Sequence, residues 1–168
     1  MELLLIRHAI AHERDPRRWR DDGARPLSAV GKKLARKAAA GLKELGRPPD
    51  RLMASPLLRA RQTAQILTDV ADWPHAEVTS ELEPGQPPRA ILGLLGRDRR
   101  KRVALVGHQP GLGLLLAVCL LGEDASLPLQ LKKNAVACLS FSGSPRPGRG
   151  TLQWLAAPRM LRGLRRGQ

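Results

Sequence analysis

Two of the chain's four histidines stand directly behind short apolar runs, where a buried strand is expected to end. Arg7 and His8 follow the run 3–6, and His108 follows the run 103–106 after one glycine. A neutral imidazole can attack phosphorus and form a covalent phosphohistidine. A guanidinium binds phosphoryl oxygens through paired hydrogen bonds and keeps its charge at any working pH. These residue types suit phosphoryl transfer, which would need no metal ion or other cofactor here.

Further polar groups follow the other apolar runs. Arg59 comes one helical turn after Ser55-Pro56, and Glu81 comes after the third run. A carboxylic acid with a raised pKa can protonate a leaving group. Each residue taken alone has an ordinary interpretation, such as a structural histidine or a solvated charge. Their convergence on one edge of a sheet would make them an anion or phosphate site.

The elements that must bring these residues together alternate between strand and helix patterns. We predict strands over 3–6, 51–54, 76–80, 103–106, 136–141 and 151–156, and helices over 29–45, 56–71, 89–95 and 111–121. This order favours an α/β three-layer sandwich with a mainly parallel central sheet and helices on both faces. In such sheets, ligands bind beyond the carboxyl ends of the strands.

Local signals define the two helices that flank the second strand. Ser28 is a predicted N-cap, and Val30, Leu34, Ala38, Leu42 and Leu45 form the apolar stripe of the first helix. Ser55 and Pro56 are predicted to cap the second helix, whose inner stripe is Ala60, Ala64, Leu67 and Ala71. Residues 1–158 are predicted to form a single domain, followed by a frayed basic tail over 159–168.

Composition narrows the class of protein. Hydrophobic residues make up 42% and charged residues 26% of the 168, as expected for a globular protein. The net charge of +14 attracts anionic partners. With three Trp, one Phe and no Tyr, the chain has little from which to build a stacking platform for single-stranded nucleic acid. The basic segment 97–102 is interpreted as a solvated loop, with a nucleic-acid contact as the alternative.

Cysteine and targeting signals point to the cytoplasm. Cys119 and Cys138 lie in apolar runs and are interpreted as buried thiols of a reducing compartment. The N-terminus has no signal-peptide pattern, and the longest apolar stretch, 112–121, is too short to span a membrane. His8 and His12 have a metal-ligand spacing for a helix, but position 8 ends a strand, so no metal site is predicted.

Four sequence blocks resemble the histidine phosphatase superfamily, also called phosphoglycerate mutase-like. Leu5 to Ala9 resembles its Arg-His-Gly signature, and 26–31 resembles the segment that opens its first helix. The block 55–64 is similar to its Ser-Pro-x-x-Arg-Ala-x-Gln-Thr-Ala motif, and 106–110 to its second histidine block. The blocks occur in the family's order. Short length and the His-x-Pro step resemble the SixA-type phosphohistidine phosphatases.

The resemblance implies a role for each site residue. His8 would be the nucleophile, and Arg7, Arg59 and His108 would hold the phosphoryl oxygens. Arg25, just before the second block, would add a further anion contact. The family glycine after the nucleophile is Ala9 here. The general acid is left open between Glu81, Glu83 and none.

Three functions follow from these observations. The first is a phosphatase for phosphohistidine on a protein, for example a histidine-containing phosphotransfer domain, because no insertion is evident over the site. The second is a phosphatase for a small phosphate ester, which would need a working general acid. The third is a non-catalytic module that binds anions or nucleic acid, which the intact set of site residues disfavours. No membrane partner is expected.

Overall fold

The computed structural model describes residues 1–125 and 129–164 of the chain. This part contains six β-strands and five α-helices. The strands are β1 (Glu2–Arg7), β2 (Arg51–Ala54), β3 (Ala76–Val78), β4 (Arg102–Gly107), β5 (Val136–Ser140) and β6 (Thr151–Ala156). The helices are α1 (Ala29–Lys43), α2 (Leu58–Ala71), α3 (Pro88–Arg97), α4 (Gly111–Leu121) and α5 (Pro158–Gly163). Short 3-10 helices cover Asp22–Ala24 and Ser80–Leu82.

All six strands form one sheet in the order β3-β2-β4-β1-β5-β6. The first four strands of that order are parallel, and β5 and β6 add an antiparallel hairpin beside β1. The predicted mainly parallel sheet is therefore confirmed. Because the carboxyl ends of parallel strands share one edge, the segments behind β1, β2, β3 and β4 all begin at the same side of the molecule.

Helices cover both faces of the sheet. Leu4 and Ile6 of β1 belong to the core cluster formed with α1, α2 and α5, whereas Leu3 and Leu5 belong to the cluster formed with α3 and α4. This explains why β1 has a continuous apolar run rather than an alternating pattern. The predicted three-layer α/β sandwich is confirmed.

The buried face of α1 differs from the predicted stripe. Ala38 and Leu42 are buried, but Val30 is 63% exposed, Leu34 is half-buried and Leu45 is exposed beyond the end of the helix. The face that packs inward consists mainly of small residues, namely Gly31, Ala35, Ala38, Ala39, Gly41 and Leu42. Glycine and alanine allow the helix backbone to approach neighbouring segments closely, so close backbone packing replaces the burial of large side chains there.

The segment after residue 158 is a packed helix, not a frayed tail. Residues 158–163 form α5, which contacts α1. Leu161 is 1% exposed, and a Cβ atom built on Gly41 would lie 1.7 Å from the Leu161 carbonyl oxygen. The predicted boundary between a domain ending at 158 and a tail over 159–168 is therefore wrong for 159–163, because Leu161 anchors this basic segment in the core. Residues 165–168 lie outside the described part.

We expect Gly41→Ala to lower the free energy of unfolding by about 1–3 kcal/mol, the usual cost of overpacking. The added methyl group would overlap the Leu161 carbonyl unless α5 moved away. Urea unfolding followed by circular dichroism measures the change. Gly93→Ala in α3 is the matched control, because among the described residues no atom outside the neighbouring turns of α3 lies within 4 Å of its new methyl group. Equal stability of the two variants would contradict the packing of α5 on α1.

The basic segment 97–102 runs from the last residue of α3 to the first residue of β4, at the sheet edge opposite the predicted site. Three of its members are held by ion pairs: Asp98 binds Arg51 at 2.8 Å and Arg100 at 3.3 Å, and Arg102 binds Glu2 at 3.0 Å. These contacts give part of the segment a structural role. Among the described residues, no helix has the length and apolar character needed to cross a bilayer.

Candidate active site

The pairing of β1 with β4 brings the two histidines side by side. Arg7 lies opposite Gly107 in this parallel pair, so His8 and His108 leave the sheet together at its carboxyl edge. The backbone N–H of His8 donates to the Gly107 carbonyl at 3.0 Å. The centroids of the two imidazole rings are 5.0 Å apart. The convergence that the sequence predicts is therefore present for these two residues.

β2 lies on the other side of β4 and adds Ser55 to the same edge. The Ser55 N–H donates to the Val106 carbonyl at 3.0 Å, and its hydroxyl oxygen lies 2.8 Å from His108 Nε2. The predicted helix cap at Ser55 is wrong: α2 begins at Leu58, and the cap residue Leu57 makes no side-chain cap hydrogen bond. The Ser55 hydroxyl contacts the histidine ring instead.

The ring of His8 has a defined orientation and proton position. Its Nδ1 lies 2.7 Å from the carbonyl oxygen of Ala9. Since a carbonyl only accepts hydrogen bonds, Nδ1 carries the proton and Nε2 carries the lone pair. The side chain is 7% exposed, and its burial lowers the pKa of His8 to about 4, with the charges of Arg59 and Arg7 acting in the same direction. At neutral pH the ring is therefore neutral and Nε2 is nucleophilic.

We expect the imidazole of His8 to titrate with a midpoint near pH 4. Burial penalises the charged ring, so His8 stays neutral as the pH falls through 6.5 and gains its proton only near pH 4. Nuclear magnetic resonance of histidine-labelled protein measures the midpoint, with the resonance assigned by its loss in His8→Ala. A midpoint at or above the ordinary histidine value of about 6.5 would contradict this environment.

His108 is the more deeply buried of the two histidines, at 4% exposure. Burial lowers its pKa to about 3, followed by the effects of His8, Arg59 and Arg7, so this ring is also neutral at pH 7. Its Nε2 contacts Ser55, while its Nδ1 is buried without a hydrogen-bond partner among the described residues. Nδ1 is thus the ring nitrogen left to bind a ligand oxygen.

Arg7 and Arg59 are each held by a backbone carbonyl. Arg7 Nη1 donates to the Leu131 carbonyl at 2.8 Å, and Arg59 Nη1 donates to the Asp22 carbonyl at 2.8 Å. Burial lowers the pKa of both guanidiniums, which nevertheless stay charged at neutral pH. Within residues 1–125 and 129–164, the Nε of each is buried and has no hydrogen-bond partner. Both guanidiniums therefore retain donor capacity for an anion.

Asp22 connects Arg25 to Arg59. Its carboxylate lies 2.8 Å from Arg25 Nε and 3.2 Å from Arg59 Nη2. The hydrogen bond from Arg25 is the main reason why the pKa of Asp22 lies below its usual value. Arg25 also donates to the His12 carbonyl at 2.7 Å. The structure thus places Arg25 beside Arg59 through the carboxylate of Asp22. The sequence analysis did not single out Asp22 as a site residue.

Glu81 lies in the 3-10 helix after β3. Together with Glu83 and His108 it lines a small pocket that also includes Leu112. Its carboxylate accepts a hydrogen bond from the Thr79 hydroxyl, which lowers the pKa of Glu81. This favours the ionised form, whereas a general acid needs a raised pKa. The structure therefore brings Glu81 and Glu83 to the site without providing the environment of a proton donor for Glu81.

Thr63 is a site residue that the sequence analysis did not single out. Its buried hydroxyl accepts from the Ala9 N–H at 3.0 Å and donates to the Arg59 carbonyl at 2.7 Å. It thereby links the segment behind His8 to the first turn of α2. The available signal was its position one helical turn after Arg59 in the block 55–64. Ala9 itself is buried at 1% exposure, and both of its backbone groups are used at the site: its N–H by Thr63 and its carbonyl by His8.

Comparison with known proteins identifies the family of the chain. A sequence profile described as the histidine phosphatase superfamily (branch 1) matches residues 3–83. An uncharacterized protein of Picosynechococcus sp. is 38% identical over 149 residues, which cover 87% of this chain and 88% of that protein. Phosphohistidine phosphatase SixA of Escherichia coli is 32% identical over 141 residues, which cover 82% and 84%. This chain belongs to the histidine phosphatase superfamily.

Its fold agrees with that of a solved histidine phosphatase. The structure of the protein histidine phosphatase SixA complexed with tungstate superposes with a TM-score of 0.81 at 29% identity, covering 95% of this chain and 98% of that one. The α/β fold is therefore phosphoglycerate mutase-like, on the SixA-type branch of the superfamily, and the chain is a phosphatase. Among the described residues, His, Cys, Asp and Glu side chains form no group of three that could hold a metal ion.

Proposed function

We propose that this histidine phosphatase removes the phosphoryl group from phosphohistidine on another protein, through a covalent intermediate on His8. The observation that carries the proposal is the orientation of the His8 ring, whose Nδ1 donates to the Ala9 carbonyl at 2.7 Å and leaves Nε2 as the nucleophile. Buried donors of Arg7, Arg59 and His108 without protein partners among the described residues support the binding of phosphoryl oxygens beside it.

Neither step of the proposed reaction requires a proton transfer to or from His8. In the first step, the Nε2 lone pair forms a bond to phosphorus, and the substrate nitrogen leaves with the pair of the breaking P–N bond. The substrate imidazole departs as a neutral ring when its other nitrogen is protonated. His8 then carries both the phosphoryl group and its Nδ1 proton, and the Ala9 carbonyl stabilises the resulting positive ring.

Hydrolysis of the intermediate uses the same positive ring. Water attacks phosphorus, the bond to Nε2 breaks, and Nε2 recovers its lone pair while the protons of the water stay with phosphate or pass to solvent. Because the leaving group is a neutral imidazole, no acid is needed at this step either. Arg7, Arg59 and His108 hold the oxygens that carry charge throughout both displacements.

A phosphoramidate substrate, whose phosphorus is bonded to nitrogen, fits the ionised state of the Glu81 carboxylate. The Thr79 hydroxyl favours ionised Glu81, so protonation of an alkoxide leaving group has no prepared donor there. The segments 55–57 and 108–110 that follow β2 and β4 are short, which suits access by a protein side chain such as that of a histidine-containing phosphotransfer domain. The similar protein histidine phosphatase SixA was solved in complex with tungstate, a tetrahedral oxyanion, which supports the binding of a phosphoryl group at this site.

Parallel assays on three substrates test the proposal. We expect kcat/KM to be highest for a phosphohistidine-bearing phosphotransfer domain, lower for p-nitrophenyl phosphate and lowest for a phosphoserine peptide. Phosphate release is measured for each, with His8→Ala as the blank. Hydrolysis of the esters without any release from phosphohistidine would overturn the substrate assignment while keeping the phosphatase activity.

We expect Glu81→Gln to leave phosphohistidine hydrolysis nearly unchanged. The second candidate function, hydrolysis of a small phosphate ester, is favoured by the position of Glu81 and Glu83 in the pocket beside His108. If Glu81 acted as its general acid, the same variant would lower ester hydrolysis by about 10²–10⁴-fold. Glu83→Gln is the matched variant in the same pocket. Loss of phosphohistidine activity in Glu81→Gln would contradict a reaction that needs no acid.

A further inference from the structure

We infer that Ser55 is a positioning residue that keeps the proton of His108 on Nδ1, where it can be donated to a phosphoryl oxygen. The inference rests on the proposed binding of phosphoryl oxygens by His108. Ser55 is 0% exposed, and its hydroxyl oxygen lies 2.8 Å from His108 Nε2. A contact of this kind selects one of the two neutral forms of an imidazole ring.

The direction of this hydrogen bond follows from the other contacts of the hydroxyl. The Leu57 N–H donates to Ser55 Oγ at 3.4 Å. In the part of the chain that the structure describes, Ser55 Oγ makes hydrogen-bond contacts with this N–H and with His108 Nε2, and of these two groups only Nε2 can accept a proton. The hydroxyl therefore donates to Nε2.

The other ring nitrogen of His108 shows why this direction matters. Nδ1 is buried and lacks a hydrogen-bond partner among the described residues. With the Ser55 proton directed at Nε2, the single proton of the neutral ring lies on Nδ1, which becomes a donor. In the opposite form, Nε2 would donate to Ser55, the hydroxyl proton would lose its acceptor, and the Nδ1 lone pair would repel anionic oxygens.

The first test needs no variant of Ser55. Nuclear magnetic resonance of protein with ¹⁵N-labelled histidine at pH 7 distinguishes the two neutral forms of His108, with its signals assigned by their loss in His108→Gln. We expect the proton on Nδ1. A proton on Nε2 would overturn the inference, whatever the enzyme's substrate.

The second test compares Ser55→Ala with Ser140→Ala. Ser140 ends β5 at the opposite edge of the sheet, where its hydroxyl accepts from Gln153 at 2.7 Å, so the control loses a similar hydrogen bond away from the site. In Ser55→Ala we expect the His108 proton to shift toward Nε2 and kcat/KM for p-nitrophenyl phosphate to fall by about 10–100-fold, the range known for residues that orient metal-binding histidines through their second ring nitrogen. Ser140→Ala should keep both properties.

Two outcomes of this comparison overturn the inference. One is a loss of activity in Ser55→Ala with the His108 proton still on Nδ1, which would indicate a packing role. The other is an equal loss of activity in both variants, with thermal unfolding reporting any common loss of stability. Failure of the proposed substrate gives a different result, because the wild-type protein would then release no phosphate from phosphohistidine while its His108 resonances still report the proton position.

Discussion

Replacing His8 by alanine should lower kcat by on the order of 10⁴–10⁶-fold, as expected when a covalent nucleophile is removed. The variant loses the Nε2 lone pair that the contact with Ala9 leaves available. Arg7, Arg59 and His108 remain, so phosphate should still bind. Phosphate release measures the turnover, and labelling with ³²P-substrate followed by an alkaline denaturing quench, in which phosphohistidine is stable, measures the covalent intermediate.

His75→Ala is the matched control for this prediction. His75 is exposed between α2 and β3 and has no contact with the site among those described. The His75→Ala variant should therefore retain both substrate turnover and ³²P labelling of the protein. Labelled protein in the His8→Ala variant would show that another residue receives the phosphoryl group, and the mechanism proposed above would be wrong.

Replacing Arg59 by alanine should lower kcat/KM by about 10²–10³-fold, the cost of losing one preorganised donor to a transition-state oxygen. Arg59 is 4% exposed and its Nε lacks a partner among the described residues. Its removal would also leave the carboxylate of Asp22 without a cation that lies 3.2 Å away. Asp22 would keep its ion pair with Arg25 at 2.8 Å, but its negative charge would be less completely neutralised and would repel the phosphoryl group, so Arg59→Ala combined with Asp22→Asn should recover part of the loss.

Arg61→Ala separates this effect from a general loss of positive charge. Arg61 lies on the same helix, two positions later, but its side chain is exposed. Steady-state kinetics at matched ionic strength should show little change for Arg61→Ala and an intermediate value for Arg59→Lys, which keeps the charge but loses the fork of donors. Similar losses in Arg59→Ala and Arg61→Ala would contradict a specific role for Arg59.

Several elements could be predicted from the chain alone because their signals are local. The apolar runs of β1 and β4 reflect burial on both sheet faces, and the stripe of small and apolar residues in α2 marks its inner face. Ser28 precedes α1 and accepts from the Gly31 N–H at 3.0 Å, as its residue type predicts. The positions of His8 and His108 behind strands likewise placed them at the edge where ligands bind.

Local sequence signals could not show that part of the predicted apolar stripe of α1 is exposed, or that α5 packs against α1. Hydrophobicity reports which side chains favour burial, but Gly31 and Gly41 are buried through close backbone contacts with Ile10 and Leu161. Such contacts join segments that are distant in the chain. The basic composition after residue 158 likewise does not predict that one leucine of this segment, Leu161, is buried in the core.

Residue types and near neighbours supplied the two histidines, the guanidiniums and the order of the elements, whereas the expected role of His8 came from the resemblance to the histidine phosphatases. Folding in three dimensions set their relations: the 5.0 Å between the histidine rings, the bridge made by Asp22, and the contact of Ser55 with His108. Ser28 and Ser55 both precede helices, yet one caps its helix and the other contacts a ring from the neighbouring strand end. The difference arises from strand order and register, which depend on pairing between distant segments and not on the residues beside each serine.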